Sequence, residues 1–408
     1  MGRTVCLPGQ ETGSRDMSEA GIRNRGYGAF FLSGICAIAS GVVVSLLQER
    51  FGLSYAETGG LLSFMSVGNM LAAFLAGYLP GKIGTRAAVL TLALGYLLGY
   101  GTIAATQTVA ILMAAFFALG LAKGTALNRC TVMAGTHARD RGRSLQLLHA
   151  CYACGALLCP FVVSGLSGIS SHAPMIGLAA CGLAMWLVFV SARFPRRRNT
   201  GGEQKRNQPA DRSFLRSGSF WLLTAMVFCQ NAAETSVTGW MVTYYRNQEI
   251  LSGIFSAYSM TVMWSATLIT RLLLAFVIPV KNKARALCLM GLACTALYAL
   301  MIPQKAAVPA VLVLFLFSAA IAGVNPMSTA MTGTVMSPES MGIMLPIAAT
   351  GAILMPAVIG FVANAVSLQA GMMVNLIPCA GIAILGWVIW KKTCSLPDGK
   401  HPQQDISN

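Results

Sequence analysis

Long apolar segments recur along the whole chain, and they constrain its fold more than any other feature. A helix needs about 20 apolar residues to cross the hydrocarbon core of a bilayer, and we find twelve such segments. Only 10% of the 408 residues are charged, against about 25% in soluble domains. Because a helix satisfies its own backbone hydrogen bonds in lipid, the sequence predicts an all-α membrane protein with twelve transmembrane helices.

The twelve predicted spans fall into two groups of six. The first group is predicted at Tyr27–Leu47, Thr58–Tyr78, Ala87–Ala105, Val109–Val132, Leu145–Gly165 and Ala173–Val190. The second group is predicted at Ser219–Trp240, Gly253–Val277, Ala286–Ile302, Val308–Met331, Gly342–Val366 and Gln369–Trp390. Between the N-terminal bundle (27–192) and the C-terminal bundle (219–390), the basic, polar stretch 193–218 predicts a flexible cytoplasmic linker. Residues 1–26 and 391–408 are predicted to be cytoplasmic tails.

The 29 Lys and Arg residues are distributed unevenly across the predicted membrane. If the helices alternate in direction, 23 lie on the side of the two termini, three lie on the opposite side, and Lys123, Arg129 and Arg271 lie within spans. Cationic residues favour the cytoplasmic side during insertion, so we expect a cell-membrane protein with both termini in the cytoplasm. The net charge of +16 is thereby explained by topology, without a nucleic-acid partner.

Two short matches relate the halves of the sequence. The segment "PGKIGTR" (80–86) recurs as "PVKNKAR" (279–285), with Pro, Lys and Arg each displaced by 199 positions. The segment "GALLCP" (155–160) matches "GAILMP" (351–356) at a displacement of 196. Two matches at nearly one displacement indicate a duplication. They predict two pseudo-symmetric six-helix bundles with a site between them at mid-depth.

A loop motif after the second span carries a resemblance to a known family: Gly77, Leu79, Lys82, Gly84 and Arg86. Together with the twelve spans and the basic central loop, this motif resembles the Major Facilitator Superfamily over Tyr27–Trp390. The resemblance implies transport by alternating access, with the loop motif and its second-half counterparts Lys281 and Arg285 contributing to gating. The acidic residue usual in the motif is replaced here by Gly81.

Within that superfamily, the sequence most resembles the fucose permease-like sugar symporters. "LQLLHACYACGALLCP" resembles their fifth span, with His149 in a matching place, and "ETSVTGWMVTYY" resembles their seventh, with Glu234, Trp240 and Tyr244. This resemblance implies a sugar-like solute and proton coupling. Two acids of those symporters are absent here, one in the first span and one at Gly124 in the fourth. Proton coupling therefore either runs through Glu234 or is absent.

Three polar residues of the seventh span form one patch, because residues one helical turn apart share a face. They are Gln230, Asn231 and Glu234. A helix entering the bilayer near Ser219 puts Gln230 about 16 Å deep and Glu234 about 22 Å deep. Polar groups at such depth are costly, so we interpret the patch as a substrate site with Glu234 as the proton-binding residue. The alternative is a structural hydrogen bond between helices.

Five further side chains are assigned to the substrate site: Trp240, Tyr244, Asn128, Asn325 and His149. Trp240 and Tyr244 either stack on a sugar face or belong to an interfacial aromatic belt. Asn128 and Asn325 occupy comparable places in the fourth and tenth spans, and Pro326 is expected to interrupt the tenth. His149 either faces the site or forms a hydrogen bond at the inner boundary.

The three cationic side chains within spans need separate explanations. Lys123, which completes the predicted substrate site, lies about 22 Å below the outer face and about 15 Å below Glu234, too far for a direct ion pair. It either binds the solute or extends to the cytoplasm. Arg129 and Arg271 lie near cytoplasmic ends of spans, where we favour extension to the lipid headgroups over the alternative of substrate binding.

The sequence as a whole predicts a secondary active transporter for a small polar solute and not an enzyme. It contains no P-loop, catalytic triad or metal-ligand spacing, and we expect a monomer without a cofactor or metal. Its expected partners are the solute, a proton and the lipid bilayer. Two alternatives remain open: a carrier of organic anions or drugs, with Lys123 and Arg129 favouring an anion, and a carrier-like sensor that transports nothing.

Overall fold

A computed structural model describes residues 12–135, 141–192, 213–278, 280–335 and 338–394. Within these ranges the chain is almost entirely helical. The helices of the first half are α1 (Thr12–Phe51), α2 (Tyr55–Ile83), α3 (Thr85–Ala93), α4 (Gly95–Ala105), α5 (Val109–Gly135), α6 (Arg141–Ser167) and α7 (Ala173–Ser191). Those of the second half are α8 (Gly218–Asn247), α9 (Tyr258–Phe276), α10 (Lys283–Met301), α11 (Ala307–Ala322), α12 (Val324–Val335), α13 (Pro338–Ala365), α14 (Leu368–Val374) and α15 (Leu376–Cys394).

These helices combine into twelve units of membrane-spanning length within the described ranges. Three units consist of two consecutive helices each, namely α3 with α4, α11 with α12, and α14 with α15. Ten units are long and apolar enough to cross a bilayer. The other two are α8 and α9, the first two units of the second half. The architecture predicted from the sequence is therefore confirmed.

Several helix ends differ from the predicted bounds, because hydropathy marks the bilayer and not the end of a helix. Helix α1 begins at Thr12, inside the segment predicted to be a tail, and α8 continues to Asn247, seven residues beyond the predicted end at Trp240. A short 3₁₀ turn at Gly253–Ala257 precedes α9. The predicted linker is described only from residue 213 onward, and residues 395–408 of the predicted C-terminal tail lie outside the described ranges.

Local sequence signals explain where α2 begins and ends. Ser54 and Glu57 form a capping box, in which each side chain accepts a hydrogen bond from the backbone N–H of the other residue, so the first turn of α2 is satisfied without neighbours. At the other end, Gly84 separates α2 from α3 with a φ of 81°. Glycine adopts that conformation at little cost, and this explains why the loop motif has glycine at position 84.

The sequence repeat recurs as equivalent packing contacts in the two bundles. A Cβ atom at Gly155 would collide with the carbonyl oxygen of Phe31, and one at Gly351 would collide with that of Phe228. The fifth helix of each bundle therefore lies directly against the first helix of the same bundle. This close approach requires glycine in both places.

The loop motif also makes matching contacts in the two halves. Arg86 donates a hydrogen bond to the carbonyl oxygen of Val190 at 3.1 Å, and the Arg285 guanidinium lies 6.0 Å from the centre of the Trp390 ring. In each half, the arginine at the start of the third unit thus contacts the end of the sixth. Lys82 stays near its own helix, 4.9 Å from the centre of the Tyr78 ring. Lys281 is exposed.

The two bundles meet closely at the face predicted to be extracellular, which we call the outer face. Glu49 forms an ion pair with Arg246, and the Asn247 amide donates to the hydroxyl of Tyr55 at 3.0 Å. Just below, a Cβ atom at Gly59 would lie 2.5 Å from the carbonyl oxygen of Pro356 in α13. These contacts close the outer ends of α1, α2, α8 and α13 against one another.

Candidate functional site

A chain of three polar side chains lies in the middle of the second bundle. The Asn325 amide of α12 donates a hydrogen bond to Gln230 Oε1 at 3.0 Å. The Gln230 amide in turn donates to the carboxylate of Glu234, one turn further along α8. Gln230 is only 1% exposed, whereas Asn325 and Glu234 are partly exposed. The buried amide thus links two polar groups that a ligand can reach.

Glu234 and Lys123 lie at similar distances from the outer ends of their helices. Asn247 ends α8 13 residues after Glu234, so Glu234 lies about 20 Å below the outer end of its helix. Lys123 comes 14 residues after Val109, the first residue of α5, and lies about 21 Å below that end. These distances start from helix ends and not from the bilayer surface, and α8 extends past its predicted end at Trp240. The predicted offset of about 15 Å between the two charges therefore stays a prediction.

Lys123 therefore faces the polar chain from the first bundle. The carboxylate of Glu234 acts electrostatically on its ammonium group, although the two described side chains do not form a direct ion pair. Lys123 is partly buried. This interaction indicates that Lys123 lies near the polar chain of the second bundle, and its role in binding the solute stays a prediction.

Arg271 lies in a different environment from the one expected. It comes 13 residues after Tyr258, the first residue of α9, so it lies about 20 Å below the outer end of the helix. Its guanidinium acts electrostatically on His149 and Tyr152 of α6, and its Nε is buried. The guanidinium thus lies near α6 of the first bundle, and the expected extension to the headgroups stays a prediction.

Tyr152 connects several of these groups and was missed in the sequence. It is partly buried and interacts electrostatically with both Glu234 and Arg271. Its ring also contacts that of Trp264 edge-on, at a centroid distance of 5.5 Å. Tyrosine is common in apolar helices, so no sequence signal singled it out. His149, one turn earlier, is exposed, with its ring 5.8 Å from that of Phe30.

Two of the predicted aromatic ligands have a structural role instead. Trp240 is completely buried and donates to the carbonyl oxygen of Pro356 at 3.2 Å. Tyr244 is 1% exposed and donates to the carbonyl oxygen of Ile302 at 2.5 Å. In this structure both rings are buried and neither is presented to a solute or to lipid, so their assigned role stays a prediction. Because α8 extends to Asn247, they pack between helices of the second bundle.

Two predicted asparagines also make contacts away from the polar chain. The Asn231 amide donates to the carbonyl oxygen of Ala348 in α13 at 3.1 Å, which matches the structural alternative of a hydrogen bond between helices. Asn128 lines a crevice with Pro80, Thr85 and Arg129, where α2, α3 and α5 meet. The structure thus brings Asn325, Gln230 and Glu234 together but leaves Asn128 in a separate place.

Backbone geometry explains the glycine at position 124 of the fourth unit and the interruption of the tenth unit. A Cβ atom at Gly124 would lie 2.6 Å from the carbonyl oxygen of Asn69, so an acidic side chain at this position does not fit. The tenth unit is interrupted at Gly323, between α11 and α12. Pro326 lacks an N–H for the carbonyl group of Ala322, so the predicted interruption is confirmed.

The Major Facilitator Superfamily matches residues 26–350 of the chain. The chain belongs to that superfamily. Its members are transporters, so the protein is a multi-pass membrane transporter and not an enzyme. No curated protein matches the sequence.

Solved structures of transporters share this fold at low sequence identity. A mutant of the nucleoside transporter NupG superposes with a TM-score of 0.74 at 15% identity, covering 92% of this chain and 99% of its own. Another structure of NupG has a TM-score of 0.68 at 17% identity, with coverages of 92% and 99%. A bacterial homologue of the human lysosomal transporter Spinster, in an inward-facing and occupied conformation, gives 0.67 at 12%, with coverages of 92% and 97%. At these identities the likeness establishes the fold alone.

Proposed function

We propose that the protein is a secondary active transporter that moves a small, sugar-like solute across the cell membrane by alternating access. The observation that carries this proposal is the Asn325–Gln230–Glu234 chain at mid-depth. It is reachable at both ends and faces Lys123 of the other bundle. A site between two bundles becomes accessible from either side when the bundles rock against each other.

The amides at this site suit a solute with several hydroxyl groups. An amide side chain offers both donors and acceptors, and a hydroxyl group can use either. The partly exposed Asn325 amide is already oriented by its hydrogen bond to the buried Gln230 side chain, so little conformational entropy is lost on binding. The resemblance to sugar symporters agrees with this chemistry.

The closed outer face supports an inward-facing state with both termini in the cytoplasm. Opening to the outside requires the Glu49–Arg246 ion pair and the Tyr55–Asn247 hydrogen bond to break. The first of these joins exposed side chains and is therefore weak. Breaking it costs little relative to the binding energy of a solute. We take the transporting unit to be a monomer, because a single chain contributes every group of this site.

We assign proton coupling to Glu234, the carboxylate at the end of the polar chain. A partly exposed carboxylate at mid-depth can bind a proton from one side and release it to the other. The test uses proteoliposomes that contain a pH-sensitive dye, to which fucose or glucose is added. We expect solute-dependent acidification in the wild type and its loss in Glu234→Gln, which cannot exchange a proton.

The matched control for this experiment is Glu249→Gln. Glu249 is exposed near the outer end of α8, so its substitution removes one carboxylate without touching the site. Acidification that persists at the wild-type rate in Glu234→Gln would rule out the assignment. Loss of acidification in both variants would also contradict it, since the effect would not be specific to the site.

An organic anion is a second candidate class of solute, and a specific observation favours it. Two cationic side chains, Lys123 and Arg271, face the region that holds only one described carboxylate, that of Glu234. The hydroxyl groups of the solute therefore do not determine whether it carries a negative charge.

A further inference from the structure

Two glycine contacts fix how helices α10 and α15 pack against each other. A Cβ atom at Gly291 of α10 would lie 2.6 Å from the Cα atom of Ala383, and one at Gly386 of α15 would lie 2.8 Å from the Cα atom of Cys288. The contact moves back along α15 as it moves forward along α10, so the two helices are antiparallel. The start of α10 and the end of α15 therefore lie side by side, at the face opposite the outer face, which we call the inner face.

Each of these two helices carries exposed apolar residues beside the contact. These residues directly follow the contact residues in the sequence, so they lie about 100° around each helix from the contact. Because the helices are antiparallel, that rotation leads to the same side of the pair in both. The residues are Leu289 and Leu292 of α10 and Ile384 and Trp387 of α15, each more than half exposed. They form one continuous apolar surface, which we call the α10–α15 face.

Two cationic side chains lie at the inner end of the α10–α15 face. Arg285 precedes Leu289 by one helical turn, and Lys391 follows Trp387 by one turn. The Arg285 guanidinium lies 6.0 Å from the centre of the Trp390 ring, and the Lys391 ammonium lies 5.2 Å from that of the Trp387 ring. Both cations are exposed. Within the described ranges, neither side-chain charge forms a hydrogen bond or an ion pair.

The described carboxylates lie in other parts of the molecule. Glu49, Glu57 and Glu249 lie at outer ends of their helices, and Glu234 lies in the middle of α8. No described carboxylate therefore compensates the two cations at the inner end of the α10–α15 face. Cationic side chains at a membrane surface attract anionic lipid headgroups, so charge complementarity favours such a headgroup as the partner.

The first bundle presents different groups at the corresponding helix ends. Arg86 donates a hydrogen bond to the carbonyl oxygen of Val190. The Trp186 indole donates to the carbonyl oxygen of Leu90 at 3.0 Å. Helix α7 ends at Ser191, which is neutral. The arrangement on the α10–α15 face is therefore not a general consequence of the positive charge near the inner face.

We propose that the α10–α15 face binds an anionic phospholipid with a single phosphate group, of the phosphatidylglycerol type. The Arg285 guanidinium matches a phosphate with two parallel hydrogen bonds, and the Lys391 ammonium supplies the second positive charge. The exposed Trp387 lies at the level of the lipid ester groups, where an indole N–H finds acceptors. The acyl chains lie along the apolar surface, which extends about 10 Å below the cations. This lipid is a bound partner and is distinct from the transported solute.

The experiment compares two lipids with identical acyl chains, phosphatidylglycerol and phosphatidylethanolamine, added to the full-length protein in detergent. Native mass spectrometry counts the bound lipids, and thermal unfolding measures the stabilisation that a bound ligand confers. We expect one molecule of phosphatidylglycerol to bind about 10-fold more tightly than phosphatidylethanolamine. The ammonium group of phosphatidylethanolamine cancels the phosphate charge, whereas phosphatidylglycerol retains it and is attracted by both cations.

Substitutions of the two cations test the assigned residues. Arg285→Gln and Lys391→Gln are each expected to lower the affinity for phosphatidylglycerol by about 5-fold, and the double variant by about 25-fold. Lys391→Arg keeps the charge and is expected to bind as the wild type does. Lys305→Gln is the matched control, because it removes one exposed cation at the outer face. Each variant is compared with its own unfolding temperature without lipid, so that a loss of stability is not counted as a loss of binding.

Four results would overturn the proposal. Equal affinities for the two lipids would exclude recognition of the anionic charge. An affinity for phosphatidylglycerol that survives the double substitution would exclude the assigned cations. An equal loss in Lys305→Gln would show attraction to the net charge of the protein and not to this face. Inorganic phosphate that stabilises the protein as much as phosphatidylglycerol does would exclude the contribution of the apolar surface. Each of these results leaves the proposed transport function untouched.

Discussion

The two six-helix bundles share their packing but not their polar residues. Gly155 against Phe31 in the first bundle corresponds to Gly351 against Phe228 in the second. The contact of Arg86 with the end of α7 corresponds to the contact of Arg285 with the end of α15. By contrast, the first helix of the first bundle is highly apolar, whereas α8 carries Gln230, Asn231 and Glu234 and is too polar to be recognised as a span.

This difference shows which features the two halves kept after the duplication and which features belong to one half. Close helix contacts depend on backbone approach, so a duplicated glycine keeps its role in either half. A binding site needs different groups on its two sides. In the proposed site, the second bundle supplies Asn325, Gln230 and Glu234, while the first supplies Lys123. The helix contacts are thus equivalent in the two bundles, whereas the polar side chains are not.

The largest expected effect tests the shared packing. We expect Gly155→Ala and Gly351→Ala each to lower the free energy of unfolding by about 3 kcal/mol, because the added methyl group collides with a backbone carbonyl. Thermal unfolding in detergent measures both. Gly165→Ala is the control, since a Cβ atom there meets nothing within 4 Å. If only one of the two variants is destabilised, the structural equivalence of the bundles is broken.

A smaller effect is expected from the polar chain, which has no counterpart in the first bundle. Gln230→Leu leaves the Asn325 amide and the Glu234 carboxylate without their described partner. We expect a loss of about 2 kcal/mol in stability, together with loss of solute binding in the thermal-shift assay. Ser40→Ala in α1 is the control, because Ser40 bonds only within its own helix. Solute binding that survives in Gln230→Leu would remove the amide from the site.

The smallest effect concerns the two loop arginines. Arg86 makes an exposed hydrogen bond and Arg285 a ring contact at 6.0 Å, each of which contributes at most about 1 kcal/mol. We expect Arg86→Ala and Arg285→Ala to lower the unfolding temperature by a similar, small amount. Their initial rates of uptake should also fall together. A loss of uptake confined to one variant would show that gating is carried by one bundle.

Much of the fold was predictable from the sequence, because lipid imposes strong rules on it. Length and hydropathy located the membrane units, and Pro326 predicted the interruption of the tenth. Three residues assigned to one site, Gln230, Glu234 and Asn325, are linked by hydrogen bonds between α8 and α12. Their function stays a prediction. The burial of Trp240 and Tyr244 was not predictable, since hydropathy did not reveal that α8 continues to Asn247.

Arg271 and Tyr152 show what the sequence left undecided. From the sequence alone, an arginine near a helix end is predicted to contact the lipid headgroups, because the helix that faces it is unknown. A tyrosine among apolar residues does not indicate a functional site. Their roles depend on which residues of α6 face α9.

The sequence by itself determined the number of helices, the duplication of the bundles and the presence of rare polar groups at depth. Each of these follows from the cost of placing backbone and charged groups in hydrocarbon, which acts on every segment separately. Only the tertiary structure decided which of those groups meet. Whether Lys123 and Glu234 lie at one depth, and whether Arg271 faces lipid or a partner bundle, depends on helix length, rotation and packing between segments distant in the chain.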